Sequence, residues 1–175
     1  MLNGLSVITM EVRNSVRCQT TADAVHQYCT GRGPKELLFQ KKRCAVHFAV
    51  DDETVMMCTE LKGSQSWFLP FNKGVNDGAG NPVNPFGLKT SYLWEDILQK
   101  PCLSDILENF ASVVKEKDED TGKMKEKVIW PRYHQLKAVN RLVTDTQEHG
   151  RGHRYLIQHS AGSGKSNTIT WLSFK

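Results

Sequence analysis

The stretch YLIQHSAGSGKSNTITWL, residues 155–172, decides the fold class. Residues 155–157 form a short apolar run typical of a buried strand, and small residues dominate the segment 159–166. A helix-forming run follows. Strand, glycine-rich turn and helix together are the context of a phosphate-binding loop, so the sequence predicts an α/β fold that contains the strand, P-loop and helix of a P-loop nucleotide-binding domain.

Each residue of this turn has an expected part in binding a nucleotide. Gly162, Ser163 and Gly164 are small, so successive backbone N–H groups are able to converge on phosphate oxygens. Lys165 supplies a positive charge for the β- and γ-phosphates, and Ser166 offers a hydroxyl to Mg²⁺. The pattern predicts a nucleotide phosphate group with Mg²⁺ as the ligand of this site.

The longer pattern GxxxxGK[ST] requires glycine at position 159, where this chain has His159, so the match is to the shorter core GxGKS.

A helix is predicted upstream of this loop, opening at Pro131 and ending at Gly150. Gln135 lies in that helix, and its amide has the donor and the acceptor needed to read adenine. On this pattern alone, a glutamine facing solvent is favoured.

Charge patterning predicts the domain organisation. Residues 115–127, KEKDEDTGKMKEK, carry five positive and five negative side chains and a single apolar one, so they are expected to form a solvated linker or a hairpin insert. We therefore expect one domain over residues 1–114, this charged linker over 115–127, and a nucleotide-binding domain beginning at 128.

The first domain has the pattern of a mixed sheet with flanking helices. Residues 4–13 alternate as a strand, 21–28 favour a short helix, and three β-type runs cover 44–50, 54–61 and 64–71, which indicates an antiparallel meander. A loop rich in Gly, Asn and Pro spans 72–87, and two amphipathic helical runs cover 91–99 and 102–114.

Glu11 and Arg13 project to one side of the first predicted strand. A carboxylate beside a cation is the geometry that a metal-dependent nuclease uses to hold Mg²⁺ and to orient water. The pattern E-x-[KR] is common on surface strands, however, and by itself favours an ordinary solvated face.

Composition narrows the protein class. The chain has 175 residues, a net charge of +4 and five cysteines. The cysteines include no CxxC pair, which favours reduced thiols over a zinc or disulfide framework. No apolar run is long enough for a membrane span and the N-terminus lacks signal-peptide features, so a cytoplasmic location is expected.

Several segments in order along the chain resemble the restriction (R) subunit of type I restriction-modification enzymes. They are NGLSVITMEVRN, QTTADAVHQY, VHFAVDDETVMMCTELKGSQSWFLPFNKG, GAGNP, TSYLWEDILQK, WPRYHQLKAVNRLV and YLIQHSAGSGKSNTITWL. Members of that family join a PD-(D/E)xK nuclease domain to a superfamily 2 helicase-like translocase made of RecA-like lobes. The resemblance therefore implies a partial nuclease-like mixed sheet, followed by the first strand, P-loop and helix of a RecA-like P-loop NTPase lobe with ATP and Mg²⁺ as its ligands. The resemblance implies ATP-dependent, type I site-specific deoxyribonuclease activity on double-stranded DNA, with modification (M) and specificity (S) subunits as partners.

The resemblance also implies roles for individual residues. Glu11 matches the metal-binding glutamate, and Arg13 occupies the position of the catalytic lysine. Gln27 and Tyr28 fall in the helix where such nucleases place a DNA-contact motif. Gln135 matches the adenine-reading glutamine, and the P-loop residues match the first helicase motif, which is formed by Gly162, Gly164, Lys165 and Ser166.

Two departures from the family concern the nuclease. No acidic residue precedes Glu11 to match the family's first catalytic aspartate, and arginine at position 13 replaces a compact ammonium with a planar group that keeps its proton. No acidic residue follows the P-loop either. We therefore expect a fragment of such a subunit that neither cuts DNA nor hydrolyses ATP by itself. The alternatives are a catalytically silent DNA- or partner-binding fragment and a P-loop ATPase of another superfamily.

Overall fold

The computed structural model describes residues 4–33, 35–75, 79–117 and 122–175. The fold is mixed α/β. Its main sheet has four strands in the order β1-β2-β3-β4, with bounds Ile8–Val12, Val46–Val50, Val55–Cys58 and Leu69–Pro70. Strand β1 pairs parallel to β2, and the other two pairings are antiparallel. The predicted antiparallel meander is therefore confirmed for β2 to β4, although its last strand is shorter than expected.

Four α-helices and one hairpin complete the described part of the chain. The helices are α1 Thr21–Thr30, α2 Lys100–Asp105, α3 Tyr133–His149 and α4 Lys165–Phe174. The hairpin consists of β5 Ser112–Lys117 and β6 Met124–Ile129. Short helical turns occupy Ser15–Arg17 and Leu37–Phe39, and π-helical segments, Leu93–Ile97 and Ile106–Phe110, flank α2.

The sheet has two packed faces, because side chains alternate along each strand. Val46, Phe48 and Val50 of β2 enter the larger core, which also contains aromatic and aliphatic side chains from the helices. Ala49 faces the opposite way and packs with Tyr28 of α1 in a smaller core. Both faces of β2 are thus buried, which explains why all of its residues are apolar except His47.

Helix α1 begins where the sequence predicts. Asp23 accepts a hydrogen bond from the backbone N–H of Thr20 at 2.7 Å, and this bond supplies an acceptor for an otherwise unpaired group at the helix start. Ala24 and Tyr28 of α1 then pack with Ala49 of β2, so the residues after β1 are brought back over the sheet.

The second predicted helical run ends early. It stops at Phe110, and Ser112–Lys117 forms β5, because the β-branched pair at 113 and 114 favours an extended backbone opposite β6. The charged segment 115–127 therefore contributes to both arms of a hairpin, the second of the two forms expected for it. Residues 118–121 of that segment lie outside the described residues.

Helix α3 begins at Tyr133 and not at Pro131. Arg132 is extended, with φ −75° and ψ 154°, and its N–H is bonded to the side chain of Gln135 at 2.8 Å. The side chain of Gln135 thus binds the N-cap residue that precedes the helix. The predicted end at Gly150 is confirmed, with φ 79°.

The strand predicted over 155–157 is wrong, since residues 153–160 form neither helix nor strand. Leu156 is 94% exposed. A strand requires a neighbour for its backbone hydrogen bonds, and in the described part of the chain no strand pairs with these residues. The domain boundary at 115–127 stays a prediction; the larger core contains Phe48 and Phe71 from before it as well as Trp130, Leu136 and Trp171 from after it.

Candidate functional site

Glu11 lies on β1 in the middle of a charged cluster, which we call the β1–α1 cluster (Glu11, Arg13, Gln27 and Arg32). Arg32, just beyond α1, donates to Glu11 Oε1 from Nε at 2.8 Å and from Nη2 at 2.5 Å. The Glu11 side chain is 14% exposed and that of Arg32 36%. The carboxylate thus meets an arginine from the same chain, and the same ion pair raises the pKa of Arg32.

Arg13 lies beside Glu11 and is bonded to α1. Its guanidinium donates to Oε1 of Gln27 and, at 3.3 Å, to the carbonyl of Val12. The sequence placed Arg13 and Gln27 in one functional region, and the structure brings them into contact. Arg32 was missed, because a lone arginine after a helix carries no sequence signal for pairing with a glutamate on β1.

Tyr28 is buried beneath this cluster. Its side chain is 0% exposed, and its hydroxyl lies 2.9 Å from Thr9 Oγ1 and 3.3 Å from the carbonyl of Phe48. Burial raises the pKa of Tyr28. A DNA contact by Tyr28 stays a prediction, and it would require the ring to leave this packing.

The residues present at Glu11 do not fit a resident Mg²⁺ ion. Mg²⁺ requires several oxygen ligands in octahedral geometry. Across the described ranges no group of three or more His, Cys, Asp or Glu side chains is arranged to hold a metal ion, and Glu11 Oε1 already accepts two bonds from Arg32. We therefore derive no step through a metal at this position.

Asp51, at the end of β2, is a polar residue that the sequence did not single out. It is 8% exposed, and its carboxylate accepts hydrogen bonds from Thr21 N at 2.7 Å, Thr54 N at 2.7 Å and Glu53 N at 2.8 Å, and from the Thr21 hydroxyl at 2.6 Å. Burial alone would raise the pKa of Asp51, but these bonds outweigh it and hold the pKa low. Asp51 therefore joins the start of α1 to the β2–β3 turn.

The GxGKS loop, residues 159–166, leads directly into α4. Gly162 and Gly164 have φ of 71° and 82°, which favour glycine, and the Ser163 N–H closes a turn on the carbonyl of Ser160 at 3.3 Å. Lys165 Nζ donates to the carbonyls of His159 at 2.8 Å and Ser160 at 3.1 Å. The side chain of Lys165 therefore folds back over the loop, and its ammonium group is hydrogen-bonded to backbone carbonyl oxygens.

Gln135 joins α3 to this loop. Its Nε2 donates to the carbonyls of Ser163 at 3.2 Å and Gly164 at 2.9 Å, while its Oε1 accepts from Arg132. Only 3% of the side chain surface is exposed, so the alternative of a solvent-facing glutamine is wrong. Both hydrogens and the oxygen of the carboxamide are engaged by backbone groups, which leaves adenine reading by Gln135 a prediction that needs these bonds to exchange.

The loop residues fit a nucleotide with its Mg²⁺ ion. The first N–H groups of α4 have no acceptors within the helix, so they are available to phosphate oxygens together with Lys165. Ser166 is exposed in the first turn of α4, where its hydroxyl would be a ligand for a nucleotide-bound Mg²⁺. Ser163, in contrast, is 5% exposed and its side-chain oxygen has no hydrogen-bond partner.

Two histidines next to the loop were also missed. His134 and His159 face each other edge to face, with ring centroids 4.9 Å apart, and His134 Nε2 lies 3.2 Å from the carbonyl of Ser163. Burial lowers the pKa of His134. The neutral ring that results is able to donate to the carbonyl without adding charge to the loop.

A groove of about 730 Å³ runs from the GxGKS loop between the hairpin and the edge of the main sheet. We call it the hairpin groove. Residues of β3, of the turn that follows β3, of β6 and of the loop line it. Its lining includes the cations Lys62, Lys117, Lys125, Lys127 and Arg132, the carboxylates Glu60 and Glu116, and the aromatic residues Trp67 and Trp130.

Comparison of the chain with protein-family models, with curated proteins and with solved structures finds no match in any of the three. Within the described ranges, no helix has the length and apolar character that crossing a membrane requires.

Proposed function

We propose that this chain belongs to the R subunit of a type I restriction-modification system, which cleaves DNA endonucleolytically after ATP-dependent translocation. The contact between Gln135 and the GxGKS loop carries the proposal. Two segments that resemble successive motifs of that family, distant in sequence, meet through the bonds from Gln135 Nε2 to the carbonyls of Ser163 and Gly164. A coincidental glycine-rich turn would have no reason to be fixed by that glutamine.

In this proposal the loop binds the triphosphate. Lys165 exchanges the carbonyls of His159 and Ser160 for phosphate oxygens, and the start of α4 adds N–H donors and a favourable dipole. A bound Mg²⁺ would neutralise phosphate charge beside the Ser166 hydroxyl. Gln135 and His134 hold the loop from behind through its carbonyls, so the loop is positioned before the nucleotide arrives.

The β1–α1 cluster supports a second candidate function, that of a catalytically silent DNA- or partner-binding piece. The observation that favours it is the ion pair between Arg32 and Glu11, which uses the carboxylate that a nuclease would need for its metal. Arg13 and Arg32 still provide guanidinium groups on one side of the sheet, and such groups suit the phosphates of double-stranded DNA.

Nucleotide binding tests the first proposal. We expect the chain to bind ATP with Mg²⁺ in titration calorimetry, and Lys165→Ala to weaken binding by about a hundredfold, because it removes a charge-assisted contact to phosphate. Lys137→Ala is the matched control, since Lys137 is exposed on α3. Equal affinity for ATP in the wild type and in Lys165→Ala would contradict the proposal.

Cleavage and partner binding separate the two candidates. We expect no Mg²⁺-dependent nicking of supercoiled plasmid by the chain alone, and salt-dependent binding of duplex DNA or co-purification with M and S subunits of a type I system. Robust nicking that Glu11→Ala abolishes would refute the silent role. Failure to bind DNA or those subunits at any salt concentration would count against both candidates.

A further inference from the structure

Strand β1 is an open edge of the main sheet. It lies first in the order β1-β2-β3-β4, and in the described part of the chain no strand pairs with its outer side. The opposite edge is protected, because β4 has only two residues and Pro70, one of them, has no N–H for a further strand. The sequence of β1, ITMEV, contains neither proline nor lysine, and its one charged side chain, Glu11, is neutralised by Arg32.

The hydrogen bonds between β1 and β2 show which backbone groups of β1 face outwards. Val7 O accepts from the N–H of Ala45 at 2.8 Å, and the N–H of Arg13 donates to Val50 O at 2.8 Å. Backbone groups two residues apart in a strand point to the same side. The odd-numbered residues of β1 therefore face β2, and the even-numbered residues face away from the sheet.

The outward-facing residues are Ile8, Met10 and Val12. Among the described residues, the only hydrogen bond to their outward backbone groups comes from Nη1 of Arg13, which donates to Val12 O at 3.3 Å. A row of N–H and C=O groups without strand partners is a template for pairing with another strand.

A second copy of the chain fits this edge by antiparallel pairing about a twofold axis at Met10. Met10 then lies opposite its counterpart in the other copy, and Ile8 lies opposite Val12. Every outward-facing residue of one copy thus meets an outward-facing residue of the other and exchanges both of its backbone bonds with it. Ile8 and Val12 are also β-branched, which favours them as a cross-strand pair.

The remaining side chains of this edge are complementary in the same register. Glu11 lies opposite Thr9, so the two carboxylates do not face each other, whereas an axis at Glu11 would place them directly opposite. Antiparallel pairing also brings the end of the edge that has Leu5 next to the end that has Val16 in the other copy. Leu5 is 58% exposed and Val16 87%, so both have apolar surface to cover.

We propose that β1 is a dimerisation edge, through which two copies of the chain join their main sheets into one continuous sheet. A contact of this length is smaller than the about 800 Å² per partner that a standard interface buries, so we expect a reversible dimer with a Kd of about 10–100 µM.

The first measurement uses the wild-type chain. Sedimentation equilibrium over a range of concentrations should show a monomer that converts to a dimer. Amide hydrogen exchange, followed by NMR at both ends of that range, then locates the contact. The N–H groups of Ile8, Met10 and Val12 should exchange more slowly in the dimer, whereas those of Thr9 and Glu11 should be protected at every concentration, because they already face β2.

The second measurement uses a charge at the edge. Val12→Lys should weaken dimerisation at least about tenfold, because the change acts at two symmetry-related places and lysine on an edge strand opposes pairing. Val113→Lys is the matched control, since Val113 is 53% exposed on β5 and Val12 is 58% exposed on β1. The control should leave the dimer Kd within about twofold of the wild type.

Each outcome decides the proposal. A dimer that slows exchange at Ile8, Met10 and Val12, and that Val12→Lys weakens, would support it. A wild-type chain that stays monomeric up to about 500 µM would overturn it and would leave the edge to a strand from a different protein. A dimer that leaves exchange at these three amides unchanged would also overturn it, because the copies would then associate through another surface.

Discussion

Two regions differ in how far their polar groups are satisfied. The first is the β1–α1 cluster together with Asp51, which is bonded to the start of α1, and His47 on β2, and the second is the GxGKS loop with the hairpin groove. In the first, Glu11 is paired with Arg32, Arg13 is bonded to Gln27, and the buried Asp51 accepts several hydrogen bonds. In the second, Trp130, Arg132 and Ser163 keep donors without partners. Among the described residues the first region has one buried donor without a partner, Arg13 Nε, against three such atoms in the second. The first region is therefore stabilised mainly by its own polar contacts, and the second less so.

This difference predicts opposite responses to mutation. Removing a polar group from the first region should reduce folding stability, because it leaves buried partners unpaired. Removing a donor from the second should affect ligand binding more than folding. The predictions below test the stability side of this contrast in both regions, in order of expected effect.

Asp51→Ala should destabilise the fold most. The change leaves the N–H groups of Thr21, Glu53 and Thr54 without their acceptor, and we expect a loss of about 4 kcal/mol in the free energy of unfolding. Urea denaturation measures this loss in the free energy of unfolding. The neighbour Asp52→Ala is the control, since Asp52 is only partly buried and should cost no more than about 1 kcal/mol. Equal losses of stability in the two variants would show that the buried hydrogen bonds to Asp51 add no more stability than a surface contact.

His47 should make the first region sensitive to acid. Its ring is 2% exposed, with Nδ1 2.7 Å from Thr9 Oγ1, and burial lowers the pKa of His47 to about 4. Below a pH of about 6.5 the unfolded chain binds a proton that the folded chain does not, so stability falls by about 3 kcal/mol as pH drops from about 6.5 to about 4.

Urea unfolding across this pH range, with wild type and His47→Gln compared, isolates that contribution. The variant should lose less stability on acidification, whereas His26→Gln, at an exposed position of α1, should behave like the wild type. Parallel curves for the wild type and His47→Gln would contradict the assignment.

Gly164→Ala tests the joint between α3 and the loop. The residue has φ 82°, and a Cβ there would overlap Nε2 of Gln135. We expect a loss of about 3 kcal/mol from backbone strain and from displacement of the glutamine. Gly162→Ala shares the positive φ, at 71°, but its Cβ meets nothing within 4 Å, so about 1 kcal/mol is expected. Thermal and urea unfolding measure the stability of both variants. Equal losses of stability would exclude the overlap between a Cβ at position 164 and Gln135 Nε2 as a cause.

The pair between Glu11 and Arg32 should give the smallest effect. A double-mutant cycle with Glu11→Ala and Arg32→Ala should show a coupling energy of about 1 kcal/mol, since Arg32 is 36% exposed and solvent weakens the attraction. The same cycle with Arg17→Ala, an exposed arginine after β1, should show none. Zero coupling for Glu11 with Arg32 would remove the argument that arginine replaces a metal there.

The sequence predicts the local elements well where a single residue determines them. The cap at Thr20 and Asp23 defines the start of α1, and Gly150 ends α3, both as expected. The alternation along β1 also places Glu11 and Arg13 two positions apart. That the turn around Gly162 binds phosphate stays a prediction. These features depend on residues close together in the chain.

Features that depend on distant partners were missed. The run 155–157 has the composition of a strand, but a strand forms only where another one pairs with it. Arg32, Asp51 and His134 have roles only because α1, the β2–β3 turn and the loop meet in space. Gln135 combines both kinds of feature. The sequence predicted its place in α3, but not its hydrogen bonds to the loop carbonyls.

The indole of Trp171 donates to the carbonyl of Phe110 at 3.0 Å, and the two rings lie 5.5 Å apart. This contact joins the last helix to a segment before the hairpin, within the core that also contains Phe48 of β2. Because the last helix and the sheet share one apolar core, we expect them to unfold cooperatively. Loss of α4 would open the same apolar interior that shields the central strand from water, so we expect the GxGKS loop and the sheet to melt in a single transition rather than one after the other.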